Sequence, residues 1–137
     1  MTKNNQESQK LYLEFQMLSQ QMNQLQQQIN SINASVNELI NLENSLNEVE
    51  KIKKDTKALI PLGNNVFIKG KLEDNKEIIM GIGSKTLVNK KIPEAKKIVK
   101  EQIEELEKIN LQLENEVNNC SVQLERLQQE LIKKESK

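Results

Sequence analysis

Large apolar residues recur along the first third of the chain at Leu11, Phe15, Leu18, Met22, Leu25, Ile29, Ile32, Val36 and Leu39, in alternating steps of four and three. That alternation keeps every one of these side chains on a single stripe of a helix and predicts left-handed coiling against a partner helix. Beyond Leu39 the next members of the stripe are Leu42, Leu46 and Val49, so a step of three replaces a four and predicts a stammer. Gln, Asn, Ser and Glu fill the positions between, and neither Pro nor Gly occurs before Pro61, which predicts a helix over about 7–54, roughly 70 Å long.

The same alternation returns near the other end, in Val99, Ile103, Leu106, Asn110, Leu113, Val117, Cys120, Leu124, Leu127 and Leu131. Pro93 and Glu94 suit a first helical turn, so a second helix is expected over about 93–134. Its one polar seam residue, Asn110, either fixes register or yields to a local rotation that brings Ile109 and Leu111 inward and leaves it at the edge.

Between the helices the period falls to two. Val66, Ile68, Gly70 and Leu72 alternate with Phe67, Lys69 and Lys71, and Glu73-Asp74-Asn75-Lys76 supplies turn residues before Glu77-Ile78-Ile79-Met80-Gly81-Ile82, a hairpin signal. Ala58 to Leu62 and Thr86 to Asn89 add two flanking runs, making four short strands within about 57–91. Pro61 cannot donate to a ladder, which places its strand at an edge or ends it there.

Two helices joined by some 35 residues can fold back antiparallel, pairing residues whose numbers add to about 150. Leu18 then lies near Leu131, and the segment before Phe15 has little partner in its own chain. The open end carries Leu11, Leu13, Phe15 and Met17 opposite Leu131 and Ile132. These six either fray or form a patch that receives another chain, since Leu13, Met17 and Ile132 lie off the seam. The strands pose a second burial problem. Val66, Ile68, Ile78, Met80 and Ile82 share a side and have no covering surface within the chain, so strands from several subunits are expected to close into a barrel.

Composition narrows the chemistry. Only 2% of residues are aromatic, histidine and tryptophan are absent, and Cys120 is the sole cysteine, so neither a His/Cys metal site nor a nucleophile paired with His can be built within the chain. The carboxylates Glu104, Glu105, Glu114 and Glu116 read as solvated helix surface, so no enzyme and no cofactor is expected. The start, Met1-Thr2-Lys3-Asn4-Asn5-Gln6, resembles no signal peptide, no apolar run is long enough to span a bilayer, and a lone cysteine suits a reducing compartment. A cytoplasmic protein with no membrane partner is expected. Residues 1–50 carry net −4, residues 51–100 net +8 and residues 101–137 net −4. With Arg126 the only arginine and Phe67 the only aromatic near the basic zone, that zone reads as attraction to an acidic protein or as solvation, and no nucleic-acid partner is expected.

Two stretches, Leu59-Ile60-Pro61-Leu62-Gly63-Asn64-Asn65-Val66-Phe67-Ile68-Lys69-Gly70-Lys71-Leu72 and Ile78-Ile79-Met80-Gly81-Ile82-Gly83, set between two heptad helices, resemble the alpha-type subunit of prefoldin over nearly the whole chain. The Pro-Leu-Gly-Asn-Asn-Val-Phe-Ile block is the specific part. The resemblance implies one prefoldin-like domain over 1–137, mostly α within an α+β class: a long antiparallel two-helix coiled coil joined by two β-hairpins that form part of an oligomeric β-barrel. It further implies a hexamer with a beta-type subunit, two alpha and four beta. Such an assembly holds unfolded polypeptides without ATP and passes them to a group II chaperonin. A structural tether with one fixed protein partner shares every heptad and is the competing reading.

Overall fold

The computed structural model describes residues 2–135. Two helices, α1 (Thr2–Lys51) and α2 (Ile92–Glu135), enclose four strands in chain order, β1 (Lys57–Gly63), β2 (Val66–Lys71), β3 (Glu77–Gly83) and β4 (Thr86–Lys91). The chain divides into two compact units, one built from the N-terminal part of α1 through Val36 with α2 from Glu105, the other from residues 37–104.

In the first unit the heptad seam closes as the spacing predicts. Leu25, Ile29, Cys120, Leu127 and Leu131 are buried, and Leu18, Met22, Ile32, Leu113, Val117 and Leu124 are half-buried between them. Asn110 stays in the seam, while Ile109 and Leu111 are exposed, so the helix does not rotate to replace it. Its Nδ2 donates to Asn33 Oδ1 across the pair at 2.7 Å, and its own buried Oδ1 has no partner among the described residues.

Pairing is shifted from the expected register. Lys134 Nζ donates to Glu7 Oε2 at 2.6 Å, Tyr12 Oη donates to Glu135 Oε1, and Asn110 meets Asn33, so partner numbers add to between 141 and 147. Glu7 and Tyr12, within the segment expected to lack a partner, are thus held against the last turn of α2. Lys133 and Lys134 sit in that last turn, and Glu7 supplies the carboxylate opposite Lys134.

The second unit has its own core, in which Leu46, Ile92, Ala95 and Val99 are buried and Leu39, Val49, Ile78, Met80 and Ile103 pack around them. Here the extra step of three is displaced, falling between Leu46 and Val49, both of which pack in this core, rather than between Leu39 and Leu42. Leu42 is 41% exposed, whereas Glu43 is half-buried and Leu46 is buried, so α1 keeps its seven-residue phase from Leu39 to Leu46 and simply places a carboxylate at the intervening seam position.

α1 stops at Lys51, short of the expected 54. The Ile52 amide donates to the Val49 carbonyl, Asp55 adopts φ +67°, and both the amide and the hydroxyl of Thr56 donate to the Lys53 carbonyl. Asn75 Nδ2 caps the Ile52 carbonyl at 2.9 Å. Residues 73–76, expected as a hairpin turn, instead link two separate ribbons: β1 pairs with β2 and β3 with β4, both antiparallel. The reversals occur where left-handed backbone is available, at Asn64-Asn65 (φ +47° and +64°) after Gly63, and at Ser84-Lys85 (φ +49° and +61°) after Gly83. Each ribbon also carries one unpaired residue just before that glycine, Leu62 in β1 and Ile82 in β3.

Candidate functional site

Two surfaces carry apolar side chains that the chain itself does not cover. The first is the free end of the helix pair in the first unit. Leu13, Met17 and Ile132 are more than half exposed and Tyr12 nearly so, while Leu11 and Phe15 are half-buried toward the seam. Leu131 departs from the sequence expectation, because at 7% exposure it is a seam residue and offers nothing to another chain. The patch is thus narrower than six residues and is framed by two polar clasps. The Lys134 ammonium beside Glu7 holds that carboxyl below the usual carboxylate range, and acceptance by the Glu135 carboxylate pushes the Tyr12 phenol above its usual value.

The second surface is the pair of ribbons. Along β1 every residue is exposed, and on one face of β1–β2 the cross-strand pairs Ala58 with Gly70 and Ile60 with Ile68 are apolar throughout. Val66, Ile68 and Ile82 from the expected interface set are more than half exposed. Ile78 and Met80 are not free in the sense expected, since both pack on the chain's own core beside Leu46 and Ala95. The premise that all five lacked a covering surface therefore fails for these two: strand alternation turns them toward the helices and leaves Ile79, 68% exposed, facing away.

Sequence reasoning missed Leu59, Ile60, Leu62, Phe67, Ile79 and Leu87, all at least half exposed. A signal was present, because Ala58-Leu59-Ile60-Pro61-Leu62 is an unbroken apolar run, the pattern of a strand covered on both faces in its final setting. Among the described residues no His/Cys/Asp/Glu cluster is arranged to hold a metal ion, and no helix is long and apolar enough to cross a membrane.

This arrangement has known counterparts. The prefoldin subunit family matches residues 18–137. The chain belongs to that family. The prefoldin alpha subunit of Methanococcus aeolicus is 31% identical over 130 residues, covering 95% of this chain and 88% of that one. The alpha subunit of Methanopyrus kandleri is 38% identical over 103 residues, 75% of this chain and 66% of its own, and that of Pyrococcus horikoshii is 29% identical over 106, 77% and 72%. In fold, the chain matches a subunit in the cryo-electron microscopy structure of filamentous PFD from Methanocaldococcus jannaschii with a TM-score of 0.75 at 20% identity, covering 84% of this chain and 95% of that one. The sequence matches make this a prefoldin subunit of the alpha type, a chaperone-type protein that assembles with other prefoldin subunits.

Proposed function

We propose that the chain works as a single prefoldin-like domain in a cytoplasmic hexamer of two alpha and four beta-type subunits. The hexamer holds unfolded polypeptides at the free ends of its helix pairs and passes them to a group II chaperonin without ATP. The observation that carries this reading is the contrast within one unit between a closed seam and the exposed Leu13, Met17 and Ile132 beside it. Exposed side chains of this kind are a surface for chains that present apolar segments without fixed shape. Each contact is small. Burial of some 200 Å² at about 25 cal/mol per Å² gives roughly 5 kcal/mol before entropy is charged, so capture depends on several such ends acting together.

Assembly uses Val66, Ile68 and Ile82, joined by Ile60 and Leu62, all of which the chain alone leaves in water. The free thiol of Cys120, buried in the seam, is in keeping with a reducing compartment.

The test substitutes Leu13, Met17 and Ile132 with Ser in an assembly whose beta-type helix ends are truncated. Hexamer mass should be unchanged, and suppression of aggregation of a denatured test protein should fall well below that of the matched unsubstituted assembly. Equal suppression by the two assemblies would remove these residues as the binding site and favour a tether. Transfer is checked separately, by adding a group II chaperonin and following release of the held polypeptide with no nucleotide present.

A further inference from the structure

The second face of the β1–β2 ribbon has no part in that reading. The pairing register sets Lys57 directly opposite Lys71 and Leu59 opposite Lys69 on this face, so three ammonium groups surround one leucine. All four residues are exposed, Leu59 to 64%. Like charges directly across a ladder destabilise it, and a counter-charge from outside the ribbon would relieve that cost. The chain does not supply it: among the described residues the salt bridges are Lys96 with Glu50 and Lys134 with Glu7, and Asp55 and Glu73, flanking the ribbon in sequence, form none with these lysines. The three lysines, Ala58, Leu59 and Gly70 line a shallow depression of ≈ 440 Å³.

We propose that this face is a docking site for a carboxylate-rich segment of a partner polypeptide, bound in extended form with apolar side chains between its acidic ones. Three features select that occupant. Successive same-face positions on a strand lie about 6.6 Å apart, and an extended peptide presents its own alternate side chains at the same interval. Leu59, set among the lysines, asks for an apolar neighbour that a bare anion does not have. Single-stranded nucleic acid needs a row of stacking rings, and Phe67 is the only aromatic residue on the ribbons. Charge supports the same partner class, since residues 51–100 carry net +8 in a protein that is neutral as a whole.

The experiment is fluorescence anisotropy of a labelled peptide alternating Glu with Leu, titrated with the full-length chain alone and then assembled with a beta-type subunit. The variant Lys57→Gln/Lys69→Gln/Lys71→Gln should bind at least about tenfold more weakly, and Lys85→Gln/Lys97→Gln/Lys100→Gln, equal in charge change, should stay within about twofold of the parent, with affinity falling as salt rises. A peptide alternating Glu with Ser should bind more weakly than the Glu-Leu peptide, and the far-ultraviolet circular dichroism of both variants should match the parent. Equal loss in both lysine variants would reduce the effect to net charge and overturn the site. So would tighter binding of a single-stranded oligonucleotide to the same lysines, or loss of peptide binding on assembly, which would make the face a contact between subunits.

Discussion

At the scale of single residues, the two polar clasps at the end of the helix pair respond to pH in opposite ways. Glu7 has its folded-state carboxyl held below the ordinary 4.5 by Lys134, so the clasp favours the folded pair above the carboxylate range and is lost as pH falls through the folded value. Tyr12 is raised above 10.0 by Glu135, so its contribution holds below the phenol range and disappears as pH rises through it. Both side chains are exposed at the surface, and the effects are local rather than global. In an NMR titration, Lys134→Gln should return the Glu7 carboxyl toward its ordinary value while the melting temperature at neutral pH changes little. An unmoved Glu7 titration would show that the ion pair does not persist in solution. These clasps were not legible in advance: Glu7, Tyr12, Lys134 and Glu135 are unremarkable in a chain that is 29% charged, and the assumed register was off by several residues.

At the scale of elements, apolar spacing was a better guide in helices than in strands. The steps of three and four named the buried stripe of α2 residue by residue from Val99 onward, because one stripe on a helix has one phase, but they missed Ile92 and Ala95 before it. The same counting failed at Leu42, where an apolar residue beside the seam was preferred to Glu43 in it. A seam position is fixed by helix phase, not by which neighbour is greasier. Replacing Glu43 with Leu should therefore raise the melting temperature, by an increment of about 1 kcal/mol in stability, whereas inserting one residue after Asn41 should lower it by rotating the two parts of α1 about 100° out of phase. Thermal unfolding followed by circular dichroism decides this, and stabilisation by the insertion would put the stammer back between Leu39 and Leu42. In the strands, Gly63-Asn64-Asn65 and Gly83-Ser84-Lys85 mark the true reversals, but Glu73 to Lys76 carries equally good turn residues, and composition alone does not say which of three turns joins paired strands.

At the scale of the whole molecule, exposure on the ribbons follows from the pairing. A two-stranded ribbon has two faces and two open edges, and the helices cover only the side of β3–β4 that carries Ile78 and Met80. Substituting Ile60 and Ile68 together with Lys should block assembly with other subunits and leave helical circular dichroism nearly intact, since both residues are at least half exposed. Mass measurement of the mixture with a beta-type subunit gives the answer, and a complex of parental mass would show that assembly does not use this face. The exposed apolar set of the ribbons was half legible, through Val66, Ile68 and Ile82. The rest was hidden because the alternating pattern marks a strand with one covered face, and these strands leave apolar groups on both.

The open ribbons also bear on how such a protein is supplied to the cell. A subunit made in excess of its partners displays unpaired strand edges beside Leu59, Ile60, Leu62 and Phe67, the features by which a damaged protein aggregates. An orphaned copy is therefore chemically similar to the clients proposed for the finished assembly. Balanced synthesis of the partners, or prompt destruction of the surplus, becomes a requirement that the fold itself imposes.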